Sequence, residues 1–85
     1  MKALTQFVKQ RNAFNKMFGN KELTLTDPLD RQRIAEIIDS SLSPENLTCD
    51  GELSRSQVQA RYRELMAVAR ELKTFDPKVT FSEVV

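Results

Sequence analysis

Residues 53–75, LSRSQVQARYRELMAVARELKTF, form the longest uninterrupted helical pattern in the chain, and the rest of the sequence has to be fitted to it. Ser54 followed by Gln57 is a capping box. In that arrangement the serine oxygen accepts from the Gln57 N–H, and the glutamine side chain reaches back to the serine N–H. Leu53 before the cap and Val58 at the fourth helical position form a hydrophobic staple that sets the angle of entry. Val58, Tyr62, Leu65, Met66, Ala69, Leu72 and Phe75 then recur at steps of three and four residues, which places them on one broad apolar face. Arg55, Gln59, Arg63, Arg70 and Lys73 fall largely elsewhere. Neither glycine nor proline interrupts the run before Asp76 and Pro77, and a residue that precedes proline is pushed out of the helical region. The pattern predicts a helix over 55–74. A flank this apolar needs cover, because isolated helices are marginal in water.

The other segments offer that cover. Leu4, Phe7, Val8, Phe14, Met17 and Phe18 lie mostly at helical spacing, so residues 3–18 read as an amphipathic helix that Gly19 closes. Its three phenylalanines are expected in the core against the long helix. The alternative is a helix on a membrane surface, where the lysines and the aromatic stripe would suit an anionic interface. Asp27-Pro28-Leu29-Asp30 opens a second helix, 28–41, with Asp27 as cap, Pro28 in the first position and Asp30 at the positive end of the dipole. Ile34, Ile37, Ile38 and Leu42, joined by Leu29 and Ala35, make its apolar face. Ser43-Pro44 repeats the signal for a single turn, and Asp50-Gly51 marks a left-handed turn before the long helix.

Two short stretches alternate apolar and polar residues, KELTLT at 21–26 and KVTFSEVV at 78–85. Leu23 to Thr26 could pair with Val79 to Val85 as a ribbon. Alternatively the tail packs locally, or docks on a partner by strand addition. The fold expected is mainly α: one domain over residues 1–85, a three-helix bundle-like arrangement with a long C-terminal helix and room for a short two-stranded ribbon.

Composition bounds the function. An 85-residue chain with 40% hydrophobic and 29% charged residues is an ordinary small globular domain. It buries only about 60 to 65% of its unfolded surface. The single cysteine, Cys49, permits no internal disulfide, and the lack of histidine removes the usual zinc constellations. No cofactor or metal is expected, because Gly19 and Gly51 are too isolated to cradle a phosphate, and Asp50 with Glu52 supplies too few oxygens for calcium. Without histidine, no nucleophile and base pair stands out, and Cys49 reads as an incidental thiol, so no catalytic residue is assigned. No segment has the run of apolar residues needed to span a membrane or act as a signal peptide, and the expected location is cytoplasmic.

The net charge of +1 hides an alternation in sign along the chain. Lys2, Lys9, Arg11, Lys16 and Lys21 precede the first acid, Glu22; the middle of the chain is acidic, and the last third is basic again. Such segregation suits neighbouring helices with attracting rims, a polar footprint for a protein, or a basic patch for nucleic acid. In the last case the start of the long helix would read bases, with Arg55, Ser56, Gln57 and Gln59 toward base edges and Arg61 and Arg63 on phosphates. The connection from the second helix is too long for a helix-turn-helix, and the acidic middle would repel a phosphate backbone. A protein partner is therefore the leading expectation, reached through Tyr62, Met66, Arg63 and Arg70, where core gives way to surface on the long helix. A homodimer through the same surface is an allied option.

The segment Pro44-Glu45-Asn46-Leu47-Thr48-Cys49-Asp50-Gly51-Glu52, followed by Ser54-Arg55 and Arg61-Tyr62-Arg63-Glu64-Leu65, resembles one found in small uncharacterised proteins of bacteria and their phages. The resemblance covers under a third of the chain. It implies a cytosolic helical protein without enzymatic activity. By the same likeness it implies a phage accessory protein that regulates or inhibits a host, defence or lysis factor, and it assigns no functional residue.

Overall fold

A computed structural model describes residues 2–82 of the chain. Its elements are α1 (Lys2–Met17), α2 (Pro28–Ser41), the single turn α3 (Pro44–Leu47) and α4 (Arg55–Phe75). Each boundary has a local cause. The Ser54 capping box is complete, with the Ser54 N–H donating to Gln57 Oε1 at 2.8 Å and the Gln57 N–H donating to Ser54 Oγ at 3.3 Å. Asp27 accepts from the Leu29 N–H at 2.9 Å with Pro28 beside it in the first turn. At the end of α1, Gly19 takes φ 69°, its N–H donates to the Lys16 carbonyl, and the Asn20 N–H reaches the Asn15 carbonyl at 2.8 Å. That pair of bonds is the Schellman closure, and it needs a residue that tolerates the left-handed conformation.

α1 and α2 both pack on α4 rather than mainly on each other. The Leu4 N–H, one of the donors that the first turn of α1 leaves unpaired, gives its proton to Glu71 Oε1 at 3.0 Å. Farther along, Arg11 and Phe14 share a hollow with Arg61, so α1 runs antiparallel to α4. α2 does the same, since Arg31 in its first turn bonds Asp76 while Ile37 and Ser41 lie at the Arg61 end. Two helices antiparallel to a third are parallel to one another. The chain must then travel back the length of a helix between them, and residues 18–27 are that crossing segment. Ten extended residues reach about 30 Å, enough to return past a helix of roughly 21 Å.

The core is where these elements meet the second half of α4. Leu4 and Val8 from α1, Leu23 from the crossing segment, Ile34, Ala35 and Ile38 from α2, and Val79 from the tail close on Val68, Ala69 and Leu72. Phe7, Leu25, Ile37, Leu42 and Phe81 are partly buried against that cluster.

Three expectations need correction. No ribbon forms between 23–26 and the tail among the described residues. The two segments are held by side chains instead. Asn12 donates to the Leu23 carbonyl at 2.7 Å and accepts from the Leu23 N–H at 2.6 Å, and Gln32 makes the same double contact with Thr80 at 3.0 Å each. A carboxamide presents one donor and one acceptor, as a neighbouring strand would, so the backbone is satisfied without a ladder. Val79 and Phe81 pack inward, as local packing of the tail requires, and the Ser82 N–H donates to Asp39 at 2.8 Å. The expected pairing of residues 83–85 lies outside the described residues.

The second correction concerns the apolar face of α4. Leu65, Val68, Ala69 and Leu72 are buried, Val58 and Met66 only partly, and Tyr62 and Phe75 stand 46% and 43% exposed. The stripe is continuous, but the elements that cover it reach only its middle. The third concerns α1, where Phe7 is partly buried while Phe14 and Phe18 are exposed, because at the far end of the helix the packed position is taken by Asn15, which donates to the Lys21 carbonyl, and the phenylalanines lie beside that line.

Candidate functional site

The uncovered first half of α4 is the part of the rod that the fold leaves free. Among residues 55–64 only Val58 is even partly buried, and what stands opposite is the single turn α3. α3 brings Leu47 up to the helix, and together with Val58, Gln59, Tyr62 and Arg63 it lines a mostly apolar open hollow of about 430 Å³. Positioning α3 takes an unusual connection. Cys49, Asp50 and Gly51 all adopt positive φ, at 50°, 57° and 86°, and the Asp50 N–H closes on the Glu45 carbonyl at 2.9 Å. Asn46 Nδ2 donates to the Ser40 carbonyl at 2.8 Å and ties the turn to the end of α2.

Two of the sequence-derived contact residues, Tyr62 and Arg63, therefore line one hollow. Met66 lies one turn on and is partly buried, at the edge of the covered zone, while Arg70 is exposed beyond it. Leu47 is the member of this surface that the sequence did not announce, since its role depends on where the left-handed turn sets α3. Tyr62 and Arg63 are residue types that concentrate binding energy at interfaces, and a tyrosine offers a broad apolar body with a polar tip at low entropic cost.

The residues considered for reading bases are also on this half of α4. Arg55, Gln57, Gln59, Arg61 and Arg63 are all exposed. Gln57 has its Oε1 engaged by the capping box. Arg61 opens on a second hollow that also includes Glu45 and Asp50, so the positive potential at that place is opposed by nearby acid.

A third feature is the groove between α1 and α2. Arg11 and Ile37 recur along its whole course, and Lys21, Asn15 and Arg33 join them toward the crossing segment. Arg11 Nε is buried there without a hydrogen-bond partner, while the guanidinium carbon sits 4.8 Å from the centre of the Phe14 ring. Polar residues along the rest of the groove include Gln10, Asn20, Glu36, Ser40 and Ser41, with Glu45, Asp50 and Arg61 at its α3 end.

No helix among the described residues is long and apolar enough to cross a membrane, and no three of their His, Cys, Asp or Glu side chains gather as a metal site. Compared with known protein families, curated proteins and solved structures, the chain matches none of them.

Proposed function

We propose that this chain is a non-enzymatic protein-binding module that docks its partner on the free first half of α4. The observation that carries the reading is Tyr62. It is 46% exposed on the same stripe that builds the core, at the lip of the hollow completed by Leu47, Val58 and Arg63. A side chain of that size left half bare in so small a domain is a natural anchor, with Met66 and Arg70 extending the contact along the helix. A second copy of the chain is one occupant this stripe would accept. The resemblance of residues 44–65 to small phage and bacterial proteins adds the expectation that the partner is a host, defence or lysis factor that the chain regulates or inhibits.

The experiment is capture from host lysate on the immobilised protein beside its Tyr62→Ala variant, with bound proteins identified by mass spectrometry and mass in solution read by light scattering. Loss of an interface anchor costs about 2 kcal/mol or more, roughly thirtyfold in affinity. A specific partner or a dimer should therefore be present with the native chain and lost with the variant. Identical capture by both, or a strict monomer that captures nothing, overturns the reading.

The rival function is nucleic-acid binding by Arg55, Arg61 and Arg63, which are exposed and make no ion pair with any described residue. It predicts retention on mixed-sequence DNA or RNA that falls steeply as salt rises, and an absence of retention at low salt removes it.

A further inference from the structure

The far end of α1 presents a second apolar surface, built from different residues. Phe14, Met17 and Phe18 are 46%, 81% and 64% exposed. They are held in place rather than fraying. The Phe14 and Phe18 rings lie 4.7 Å apart at a tilt of 38°, the Arg11 guanidinium stacks on Phe14, and the helix is closed directly behind them by the left-handed Gly19.

The charge around this tip is mainly positive, with Glu22 next to Lys21 in the chain and Glu36 across the adjoining hollow as the opposing acids. Residues 1–21 hold five cations and no acid. Lys9, Lys16 and Lys21 are all exposed, and the one ion pair they make with described residues is a long contact of 3.8 Å from Lys21 to Asp30. Two copies meeting symmetrically through the tip would bring Lys16 and Lys21 close to their own counterparts, which like-charge repulsion opposes. The occupant should therefore be negative. It should also be soft, because Met17 and Phe18 project from the surface and line none of the hollows around them. A lipid headgroup layer satisfies both conditions, receiving aromatic and thioether side chains at the acyl boundary and ammonium groups among the phosphates.

We infer that the tip of α1, where Phe14, Met17 and Phe18 stand within a few residues of the exposed Lys16 and Lys21, is a docking surface for an anionic lipid bilayer. The contact is peripheral. The side chains enter the interface while the helix stays packed on α4, so binding is reversible and salt-sensitive.

The test is co-sedimentation with vesicles of phosphatidylcholine alone and of phosphatidylcholine containing about one third phosphatidylglycerol. The full chain is expected on the anionic vesicles and not on the neutral ones, with binding that weakens as salt rises. Each of the double variants Phe14→Ser/Phe18→Ser and Lys16→Gln/Lys21→Gln should weaken binding at least about tenfold. Melting temperatures are read for both, because Phe14 stacks on Phe18 and Arg11 while Lys21 faces the buried Asp30, and Lys16→Gln alone, at an exposed side chain, should weaken binding without moving the melting temperature. Tyr62→Ala should bind vesicles as the parent does, which separates this surface from the protein-docking one. Equal binding to both vesicle types, or an unchanged affinity in the phenylalanine variant, overturns the inference. So does a phenylalanine variant that alters only protein capture or the mass in solution while the parent ignores anionic vesicles, since the tip then belongs to a protein partner or a second copy.

Discussion

Asp30 is 1% exposed, and a carboxylate so placed has to be answered by donors. The Thr24 N–H reaches Asp30 Oδ2 at 3.0 Å, and Lys21 Nζ stands 3.8 Å from the other oxygen. The same side chain that opens α2 therefore fastens the crossing segment. Replacing it by alanine would remove the acceptor of the Thr24 N–H, and the loss of such a partly buried hydrogen bond to a charged group costs about 1 to 2 kcal/mol. The expected result for Asp30→Ala is a fall of that size in unfolding free energy, measured by urea titration; a change near zero would mean that Asp30 does not hold the segment. Asp76 makes the second such tie. Arg31 Nε donates to it at 2.7 Å while Nη1 donates to the Leu25 carbonyl at 2.7 Å, so one guanidinium joins α2, the crossing segment and the end of α4. The hydrogen bond from Arg31, then that from the Lys78 N–H, holds the Asp76 carboxyl below its ordinary value of 3.8. A carboxyl whose folded pKa is depressed contributes stability that is complete above the unfolded value and is lost as pH falls through the folded one. Urea midpoints measured from neutral pH down to strongly acid conditions should fall below about pH 4 in the native chain, and less steeply in Asp76→Asn. Parallel curves for the two proteins would contradict this.

The helices themselves were legible in the sequence because their signals are local. Ser54 with Gln57, Asp27 with Pro28, and Gly19 each report on a few adjacent residues, and each boundary in the structure follows from them. What the sequence could not supply is how far the cover over α4 extends. Tyr62 and Phe14 look like core residues by spacing, yet spacing says on which side a residue lies and nothing about whether another element reaches that level. Asn12 and Gln32 were silent for a related reason, since a carboxamide that serves a backbone 11 or 48 residues away leaves no local pattern. For the site, Tyr62 and Arg63 were within reach, whereas Leu47 depended on the left-handed turn at 49–51. On the proposed function the capping box has a further role, because it sits at the exposed end of α4 and holds the residues around Tyr62 helical. Removing an N-cap costs about 1 kcal/mol. In Ser54→Ala that loss should appear mainly as fraying, with faster amide exchange over residues 57–62 and little change over 68–72; a uniform acceleration along α4 would show that the two halves do not open separately.

At the scale of the whole molecule, α4 is one rod used twice. Its second half collects α1, α2, the crossing segment and the tail into the core cluster, and its first half extends past that cluster with α3 beside it and the ends of α1 and α2 near Arg61. The parallel placement of α1 and α2 follows from both being laid antiparallel on that rod, and it forces the crossing segment that Asp30 and Arg31 fasten. It also leaves ends that the described residues cover only in part, Tyr62 on α4 and Phe14 with Phe18 on α1. A fold that stops short of its own apolar stripe has surface available for another molecule. Amide hydrogen exchange on a sample proved monomeric by light scattering tests this division most directly. The account predicts that amides 68–72 exchange only with global unfolding while 59–63, hydrogen-bonded in the same helix, exchange many times faster; equal protection of both stretches in the monomer would mean that the first half of α4 is already covered, and the docking surface would have no place.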